Sequence, residues 1–249
     1  MVGRALTDVS RRFWELVDEG MLDDKINVST RALTSSEAIG NPERRDFPLL
    51  RGKEVLMQAE FRGCHGQAFT TTPCAFEGTL GDVKALPLES NFERAVLIAS
   101  INAVLRSMGR IEGTVHCRDD GPELCGARIS QEIEMRLKGK RLGIVGFQPA
   151  LVEHCVRCLG CERVRVSDLG SEVGVRRYGI VVMDGATYTD ELVEGSDMLL
   201  ITGTTLVNDT LDPVLERAAA CNVDVLFYGT TAAGPAYLCG WERMCPESG

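Results

Sequence analysis

The feature that most constrains the fold is a regular alternation of strand-like and helix-like segments after residue 140. Short apolar runs typical of buried strands are separated there by segments with helical character. Such an alternation predicts right-handed crossovers and a parallel sheet covered by helices on both faces, a Rossmann-like α/β domain. The predicted strands are residues 141–147, 163–169, 180–183, 197–202 and 223–228, and the predicted helices are residues 149–159, 189–195 and 209–221.

The region before residue 138 has a different pattern. Apolar residues at helical spacing predict an amphipathic surface helix over residues 4–19. Short β-prone segments at residues 26–33, 54–61 and 67–72, broken by turn sequences, predict a small meander. Residues 92–105 predict a largely buried helix, in which Asn102 is either a satisfied core amide or a residue that faces a cleft. We therefore predict two domains, a smaller α+β domain at residues 1–138 and a Rossmann-like domain at residues 139–249.

The charge of the chain argues against two classes of partner. The formal net charge is −9 and Lys and Arg are not clustered, which disfavours nucleic acids and acidic membranes. The apolar runs are far shorter than the roughly 20 residues that span a bilayer. The N-terminal sequence lacks the features of a secretory signal, so we expect a cytoplasmic protein. Its ten cysteines then indicate thiols, metal ligands or buried apolar residues rather than disulfides.

Glycines and polar residues follow the carboxyl ends of the predicted strands. Open parallel sheets bind ligands at this edge, because loops and helix N-termini present backbone N–H groups there. Residues 203–208 are expected to form one such loop. The same residue types are also common in ordinary βα turns, which is the alternative interpretation of each one. The candidate ligand-binding residues are Gly146, Gln148, Asp168, Gly203, Thr204, Thr205, Asn208, Thr230 and Thr231, together with Asn102.

A nucleotide site is an alternative use of this edge. A dinucleotide fingerprint needs Gly-x-Gly-x-x-Gly, whereas Gly143 and Gly146 are three residues apart and Pro149 opens the helix. Asp168 nevertheless lies about 20 residues beyond the glycine turn, where an acid that binds a ribose is found. An enzyme with a nucleotide or related cofactor therefore stays a second hypothesis, and whether the protein is an enzyme is left open.

A candidate metal site precedes the domain boundary. His116, Cys117 and Cys125 lie within ten residues, and the turn-forming Gly121-Pro122 pair is expected to bring the two thiols together. An imidazole and two thiols can hold a soft or borderline metal ion. The spacing matches no standard zinc or iron–sulfur signature, so buried or free thiols are the alternative.

Two other cysteine motifs are interpreted as structural. Cys155, Cys158 and Cys161 have the spacing that begins an iron–sulfur motif, but the first two belong to a helix that should pack on the sheet. We predict core positions for Cys155 and Cys158, and leave the role of all three open. Cys64 and His65 are predicted to lie in an exposed hairpin turn.

Several of these runs resemble a known family. Residues 202–212, Thr-Gly-Thr-Thr-Leu-Val-Asn-Asp-Thr-Leu-Asp, look like the signature of the "putative heavy-metal chelation" family. Residues 102–105, 116–125, 143–149 and 229–232 also resemble it, so the resemblance covers most of residues 66–245. It implies an N-terminal domain like that of enolase, then a Rossmann-like domain, with a site in the cleft between them.

The leading functional hypothesis combines the two candidate sites. The cleft would bind a metal ion or a metal-bearing small molecule, with polar contacts from one domain and soft ligands from the other. The polar contacts would come from Thr204, Thr205, Asn208 and Thr230, and the soft ligands would be His116, Cys117 and Cys125. The alternatives are the nucleotide-dependent enzyme and a non-catalytic scaffold that binds a partner in the cleft. The sequence leaves open which metal or ligand binds, and whether the protein is a homodimer.

Overall fold

The computed structural model describes residues 2–28, 33–51, 54–170 and 172–249. The chain folds into a mixed α/β structure with two sheets. Before residue 138 the elements are α1 (Arg4–Leu16), β1 (Lys25–Val28), α2 (Ser35–Ile39), β2 (Val55–Phe61), β3 (Cys64–Thr70), β4 (Phe76–Thr79), α3 (Leu80–Lys84), α4 (Asn91–Ser107) and α5 (Gly121–Leu137). The predicted strand at residues 26–33 is observed as far as Val28, and residues 29–32 lie outside the described ranges.

The four strands β1 to β4 form an antiparallel sheet in the order β3-β2-β1-β4. The prediction of a turn at Cys64 and His65 is wrong, because both belong to β3 and pair with Phe61 and Glu60. The turn consists only of Arg62 and Gly63, which have φ angles of 49° and 76°. Two left-handed residues match the twist of a hairpin, and arginine at the first of them gives no sequence signal for this turn.

Helix α4 is buried on nearly all sides, as its sequence predicts. One side packs on β2 and β3, and other contacts come from α8 (Thr204–Val207) and α10 (Ala233–Cys239) of the C-terminal half. Gly66 permits this packing, since a Cβ atom there would lie 2.2 Å from the Ala103 backbone nitrogen. A helix between two layers needs apolar residues all round, which explains its pattern.

A second, seven-stranded sheet forms the C-terminal half and is parallel except at one edge. Its remaining elements are β5 (Leu142–Val145), α6 (Pro149–Leu159), β6 (Val164–Asp168), β7 (Arg176–Arg177), β8 (Ile180–Asp184), α7 (Thr189–Glu194), β9 (Met198–Thr202), α9 (Leu211–Cys221), β10 (Asp224–Tyr228) and β11 (Arg243–Met244). The strand order is β11-β10-β9-β5-β6-β8-β7, with helices flanking the sheet. The predicted α/β fold with a parallel sheet is therefore confirmed.

Two details of the predicted alternation are wrong. Residues 203–208 do not form a simple loop, because Thr204–Val207 is the short helix α8. Helix α9 starts at Leu211 rather than at Asp209, whose φ of 58° is incompatible with a right-handed helix. The two-residue strands β7 and β11 were not predicted, because strands this short carry no apolar periodicity.

The N-terminus of helix α1 is hydrogen-bonded to carboxylates from a distant part of the chain. The backbone nitrogens of Gly3 and Ala5 donate to Asp209 and Asp212 over 2.9 Å and 2.8 Å, and Arg4 also donates to Asp212. Negative side chains at a helix N-terminus satisfy its free N–H groups and favour its dipole. The first helix is thus attached to the C-terminal half.

The proposed domain boundary near residue 138 can be tested by limited proteolysis. Helix α5 precedes this boundary, yet it packs on α6, and Ile129 and Ile133 share an apolar cluster with Ile144 of β5. We expect a stable fragment that begins between residues 130 and 142, since the linker there is exposed and turn-rich. A stable fragment that begins before residue 121 would instead make α5 part of the C-terminal domain. The similarity of residues 1–138 to the enolase N-terminal domain stays a prediction.

No helix within the described ranges is both long enough and apolar enough to cross a membrane.

Candidate functional site

A cavity of about 270 Å³ is lined by residues of both halves of the chain. Its floor consists of residues at or just beyond the carboxyl ends of parallel strands: Gly146, Asp168, Gly185, Thr202 and Gly229. Its opposite wall comes from the N-terminal half and includes Ile39, Phe47, Leu49, Phe69 and His116. We call this volume the cleft cavity. It lies at the edge where the strand order predicts a ligand site.

Most of the predicted site residues line the cleft cavity, and three do not. The lining includes Gly146, Gln148, Asp168, Thr204, Thr205, Asn208, Thr231, His116, Cys117 and Cys125. Gly203 does not line the cavity. Its α-carbon packs against the backbone of Ala232, and a Cβ atom added to it would lie 2.4 Å from the Ala232 nitrogen. Thr230 is fully buried outside the lining, and its hydroxyl has no hydrogen-bond partner among the described residues.

Asn102 is a satisfied core amide rather than a residue of the cleft cavity. It is fully buried, and its amide nitrogen donates to the Gln67 and Thr230 carbonyls over 2.9 Å and 3.1 Å. Its amide oxygen accepts from the Gly234 backbone nitrogen over 2.7 Å. These bonds link α4 to β3 and to the start of α10, so this asparagine joins the two halves of the chain.

The threonines of α8 also support the local backbone. The Thr205 hydroxyl is buried and donates to the Thr202 carbonyl over 2.8 Å, while the Thr202 hydroxyl donates to the Thr204 hydroxyl over 3.2 Å. Asn208 accepts from the Asn91 amide over 3.0 Å. Thr204 and Asn208 are only half-buried, so they are the members of this group best placed to contact a ligand.

A valine at position 205 should separate the structural role of this threonine from ligand binding. Thr205→Val removes the bond to the Thr202 carbonyl, and we expect it to lower the free energy of unfolding by about 1 kcal/mol. Urea unfolding measures this change. Thr187→Val is the control, since Thr187 is exposed and should change stability by less than about 0.5 kcal/mol. Equal stability of the two variants would contradict a capping role for Thr205.

The glycine turn after β5 is shaped by its neighbours. Gly146 has a φ of 96°, and an added Cβ would lie 2.6 Å from the Thr202 methyl group. The Tyr228 hydroxyl donates to the Gly146 carbonyl over 2.9 Å. Gln148 caps α6 by accepting from the Leu151 backbone nitrogen, and Pro149 is the first residue of that helix. The turn is therefore rigid and leaves no room for a larger residue at position 146.

The described residues that line the cleft cavity include four acids, Asp46, Glu54, Asp168 and Glu172, of which only Asp168 was predicted. Asp168 accepts from the Phe147 and Gly170 backbone nitrogens over 2.7 Å and 2.5 Å, and burial raises its pKa. Glu54 lines the same volume. Burial, and secondarily the charge of Asp168, raise the pKa of Glu54 to about 7. The sequence gives no signal that Glu54 lines the cavity, because it is a single acid just before an apolar strand.

His116 is held beside the cavity with an unused ring nitrogen. Its backbone nitrogen donates to the Gln67 side chain over 2.7 Å, and its ring contacts Phe69 edge-on with centroids 5.4 Å apart. The Nδ1 atom is buried and makes no hydrogen bond of normal geometry within the described ranges, although backbone groups of Cys117 and Ala38 lie near the ring. Burial lowers the pKa of His116 to about 4, so the imidazole is neutral and its nitrogen can bind a metal.

The two predicted thiols line the cleft cavity together with a third one, that of Cys245. The neighbouring Cys117 thiol, together with burial, raises the pKa of Cys125 to about 12. Gly121 and Pro122 do not form a turn between the first two cysteines, but open α5, whose first residues place Cys125 beside Cys117. Cys245 was missed because it lies far away in sequence, just beyond the unpredicted strand β11.

The cysteines of the other motif do not meet. Cys155 is fully buried in α6, as predicted, and burial raises its pKa to about 12. Cys158 is exposed, which corrects its predicted core position, and so is Cys161. Positions three residues apart are offset by only about 60° around a helix, but Cys158 lies in the last turn of α6, beside the Gly160 that ends it.

An arginine joins the N-terminal half to the helices beside the cavity. Arg44 forms ion pairs with Glu123 of α5 and Glu153 of α6, and a third with Asp46 at 3.3 Å. It also donates to the Tyr178 hydroxyl over 2.9 Å. Asp46 itself lines the cleft cavity, so this cluster holds one wall in place.

The side chains that could bind a metal are of the types that a soft ion prefers, and they could hold it as a pair of thiols. Across the described part of the chain, no three His, Cys, Asp or Glu side chains are arranged so that they could hold a metal ion together. Thiols and a neutral imidazole are the ligands that soft and borderline ions prefer. The residues present therefore suit a metal that takes two protein ligands, with further positions for groups of a bound molecule.

Comparison with known families gives a match to the C-terminal half. Residues 131–238 match the family DUF364, described as "Putative heavy-metal chelation". The matched residues include the floor of the cleft cavity from Gly146 to Thr231, whereas His116, Cys117, Cys125 and Cys245 lie outside them.

Two solved structures of the DUF364 family share this fold. One, a protein of unknown function from Pyrococcus horikoshii, is 16% identical, with a TM-score of 0.55 over 92% of this chain and 80% of that chain. The other, also of unknown function, from Desulfitobacterium hafniense DCB-2, is 12% identical, with a TM-score of 0.58 over 95% of this chain and 83% of that chain. At these identities the likeness shows the fold alone. Comparison with curated proteins gives no match.

Proposed function

We propose that the cleft cavity binds a metal-bearing small molecule, with the metal held by Cys117 and Cys125 and with His116 facing the bound molecule. The observation that carries this proposal is that both thiols line the same cavity as the carboxyl edge of the parallel sheet. The family description, heavy-metal chelation, points the same way.

The size of the cavity favours a small molecule over a bare ion. A water molecule occupies about 30 Å³ of liquid, and pockets for small molecules start near 300 Å³. The cleft cavity, at about 270 Å³, therefore has room for a compact organic ligand around a metal. Thr204 and Asn208 would supply polar contacts to the organic part, and the glycines would allow it to approach the backbone.

The nucleotide hypothesis has less support at the residue that suggested it. Both carboxylate oxygens of Asp168 already accept backbone N–H groups, from Phe147 and from Gly170. A ribose hydroxyl would have to share these oxygens. The role of Asp168 proposed here is to fix the two loops at the cavity floor.

The direct test begins with protein purified anaerobically and without chelators. We expect metal and a small organic molecule in equal amounts, measured by elemental analysis and by mass spectrometry of the denatured supernatant. A retained nucleotide without metal would favour the enzyme hypothesis, and a retained protein partner would favour the scaffold hypothesis.

Cobalt(II) is a suitable spectroscopic probe of the proposed thiol ligands. Bound Co²⁺ should give a thiolate-to-cobalt charge-transfer band, and Cys125→Ser and Cys117→Ser should each abolish most of it. The matched control is Cys221→Ser, because Cys221 is an exposed thiol at the end of α9. A band of full intensity in both cavity variants would overturn the assignment of these thiols.

A further inference from the structure

The four acids that line the cleft cavity differ in whether the protein supplies them with a partner. Three of them have one: Arg44 for Asp46 over 3.3 Å, Arg177 for Glu172 over 2.8 Å, and the backbone nitrogens of Phe147 and Gly170 for Asp168. The fourth, Glu54, is half-buried and makes no hydrogen bond or ion pair within the described ranges. A partner for its carboxyl group can therefore come from a bound molecule.

The lining of the cleft cavity offers no cation to this carboxyl group. Among the described residues that line it there is neither a Lys nor an Arg. His116 is neutral, because burial lowers its pKa to about 4. A charge in an enclosed site is costly unless it is paired. The lining thus favours a ligand that brings a positive charge, whereas a phosphate group would find no basic side chain there.

The remaining walls suit an organic cation. Aromatic rings line the cavity, and the face of such a ring attracts a cation within about 6 Å. They belong to Phe47, Phe69, Phe147 and Tyr228. The Nδ1 atom of His116 is buried and has no hydrogen-bond partner within the described residues, and a neutral imidazole nitrogen can accept from an N–H group. An ammonium group has both the charge and the N–H donors that these walls can satisfy.

We propose that the molecule bound in the cleft cavity carries a protonated amine, and that Glu54 is the carboxylate that pairs with it. This inference rests on the proposed function, namely that the cavity takes a small molecule, and it names a chemical group of that molecule. The ammonium group donates to the Glu54 carboxylate in a charge-assisted hydrogen bond, which is stronger than one between neutral groups. The aromatic rings enclose the carbon atoms beside the nitrogen.

The test compares amines with alcohols of the same shape. Butylamine and 2-phenylethylamine, and as neutral probes 1-butanol and 2-phenylethanol, are titrated against the full chain and followed by ligand-observed NMR. At pH 8 an alkylamine is protonated, as a Lys side chain is, and Glu54, with a pKa raised to about 7, is mostly ionised. We expect at least one amine to bind the wild-type protein at least tenfold more tightly than its alcohol.

Glu54→Gln removes the charge and keeps the size of the side chain. We expect it to weaken amine binding by at least tenfold and to leave alcohol binding unchanged. The matched control is Glu77→Gln, because Glu77 is exposed on β4, and this variant should bind amines as the wild type does. Equal amine affinity of Glu54→Gln and wild type would overturn the inference. So would wild-type protein that binds neither amine more tightly than its alcohol, a result that needs no variant to fold.

The cobalt band assigned to Cys117 and Cys125 separates this inference from the proposed function. Glu54→Gln should leave that band unchanged. A normal cobalt band in a protein without preference for amines would overturn this inference and leave the proposed function standing. Amine binding that depends on Glu54, in a protein that gives no cobalt band, would support this inference and overturn the proposed metal ligands.

Discussion

Replacing Arg44 with Met should lower the free energy of unfolding by about 3 kcal/mol. The Arg44 side chain is only 17% exposed, and it is paired with three carboxylates, of which Glu153 is 14% exposed. Methionine keeps most of the apolar stem but leaves those carboxylates without their cation. Charges left unpaired in a partly buried site are costly, and the partial exposure of Glu123 and Asp46 places the loss at the lower end of the usual range.

Urea unfolding of Arg45→Met provides the control for this prediction. Arg45 is exposed. Within the described residues, its guanidinium donates one hydrogen bond, over 3.1 Å, to the Asn41 side chain. We expect a change of less than about 0.5 kcal/mol for this neighbour. If the two methionine variants unfold at the same urea concentration, Arg44 does not hold the cavity wall to α5 and α6.

Replacing Glu54 with Gln should stabilise the protein at pH 8, by up to about 3 kcal/mol. Burial and the nearby Asp168 raise the folded-state pKa of Glu54 to about 7, whereas the unfolded chain has the usual value near 4.5. Between these two values the folded state binds more protons than the unfolded state. Its stability therefore falls as pH rises from 4.5 through 7, and glutamine, which carries no charge, removes this loss.

The pH dependence itself is the control on Glu54. At pH 4 the carboxyl group is protonated in the folded state, so Glu54→Gln should have nearly the wild-type stability there. Glu77→Gln, at an exposed position of β4, should change stability little at either pH. A difference between Glu54→Gln and wild type that is the same at pH 4 and pH 8 would show that the carboxyl group titrates normally.

The helices and strands that sequence predicts well are those with local start and stop signals. Helix α6 runs from Pro149 to Leu159 as predicted, because Pro149 opens it and Gly160, with a φ of 91°, ends it. Helix α8 was missed because four residues are too few for an apolar period, and the Thr205 hydroxyl bond that supports it is not visible in a sequence.

The residues of the candidate site also fall into a group that sequence predicts and a group that it does not. The residues at the strand ends were predicted because a parallel sheet gathers its carboxyl ends at one edge. Glu54, Cys245 and Arg44 reach the site through contacts between segments that are far apart in the chain, and no spacing rule links them to it. Asn102 was an ambiguous case, since only its three backbone partners identify it as structural.

The attachment of α1 to Asp209 and Asp212 has a consequence for how the chain folds. An isolated helix of its length, 13 residues, is marginal in water, and its free N–H groups find their acceptors more than 200 residues later. Contacts of such long sequence separation slow folding, because a large loop must close before they contribute. During synthesis on a ribosome, α1 must therefore stay exposed and loosely formed until Asp209 and Asp212 have also emerged.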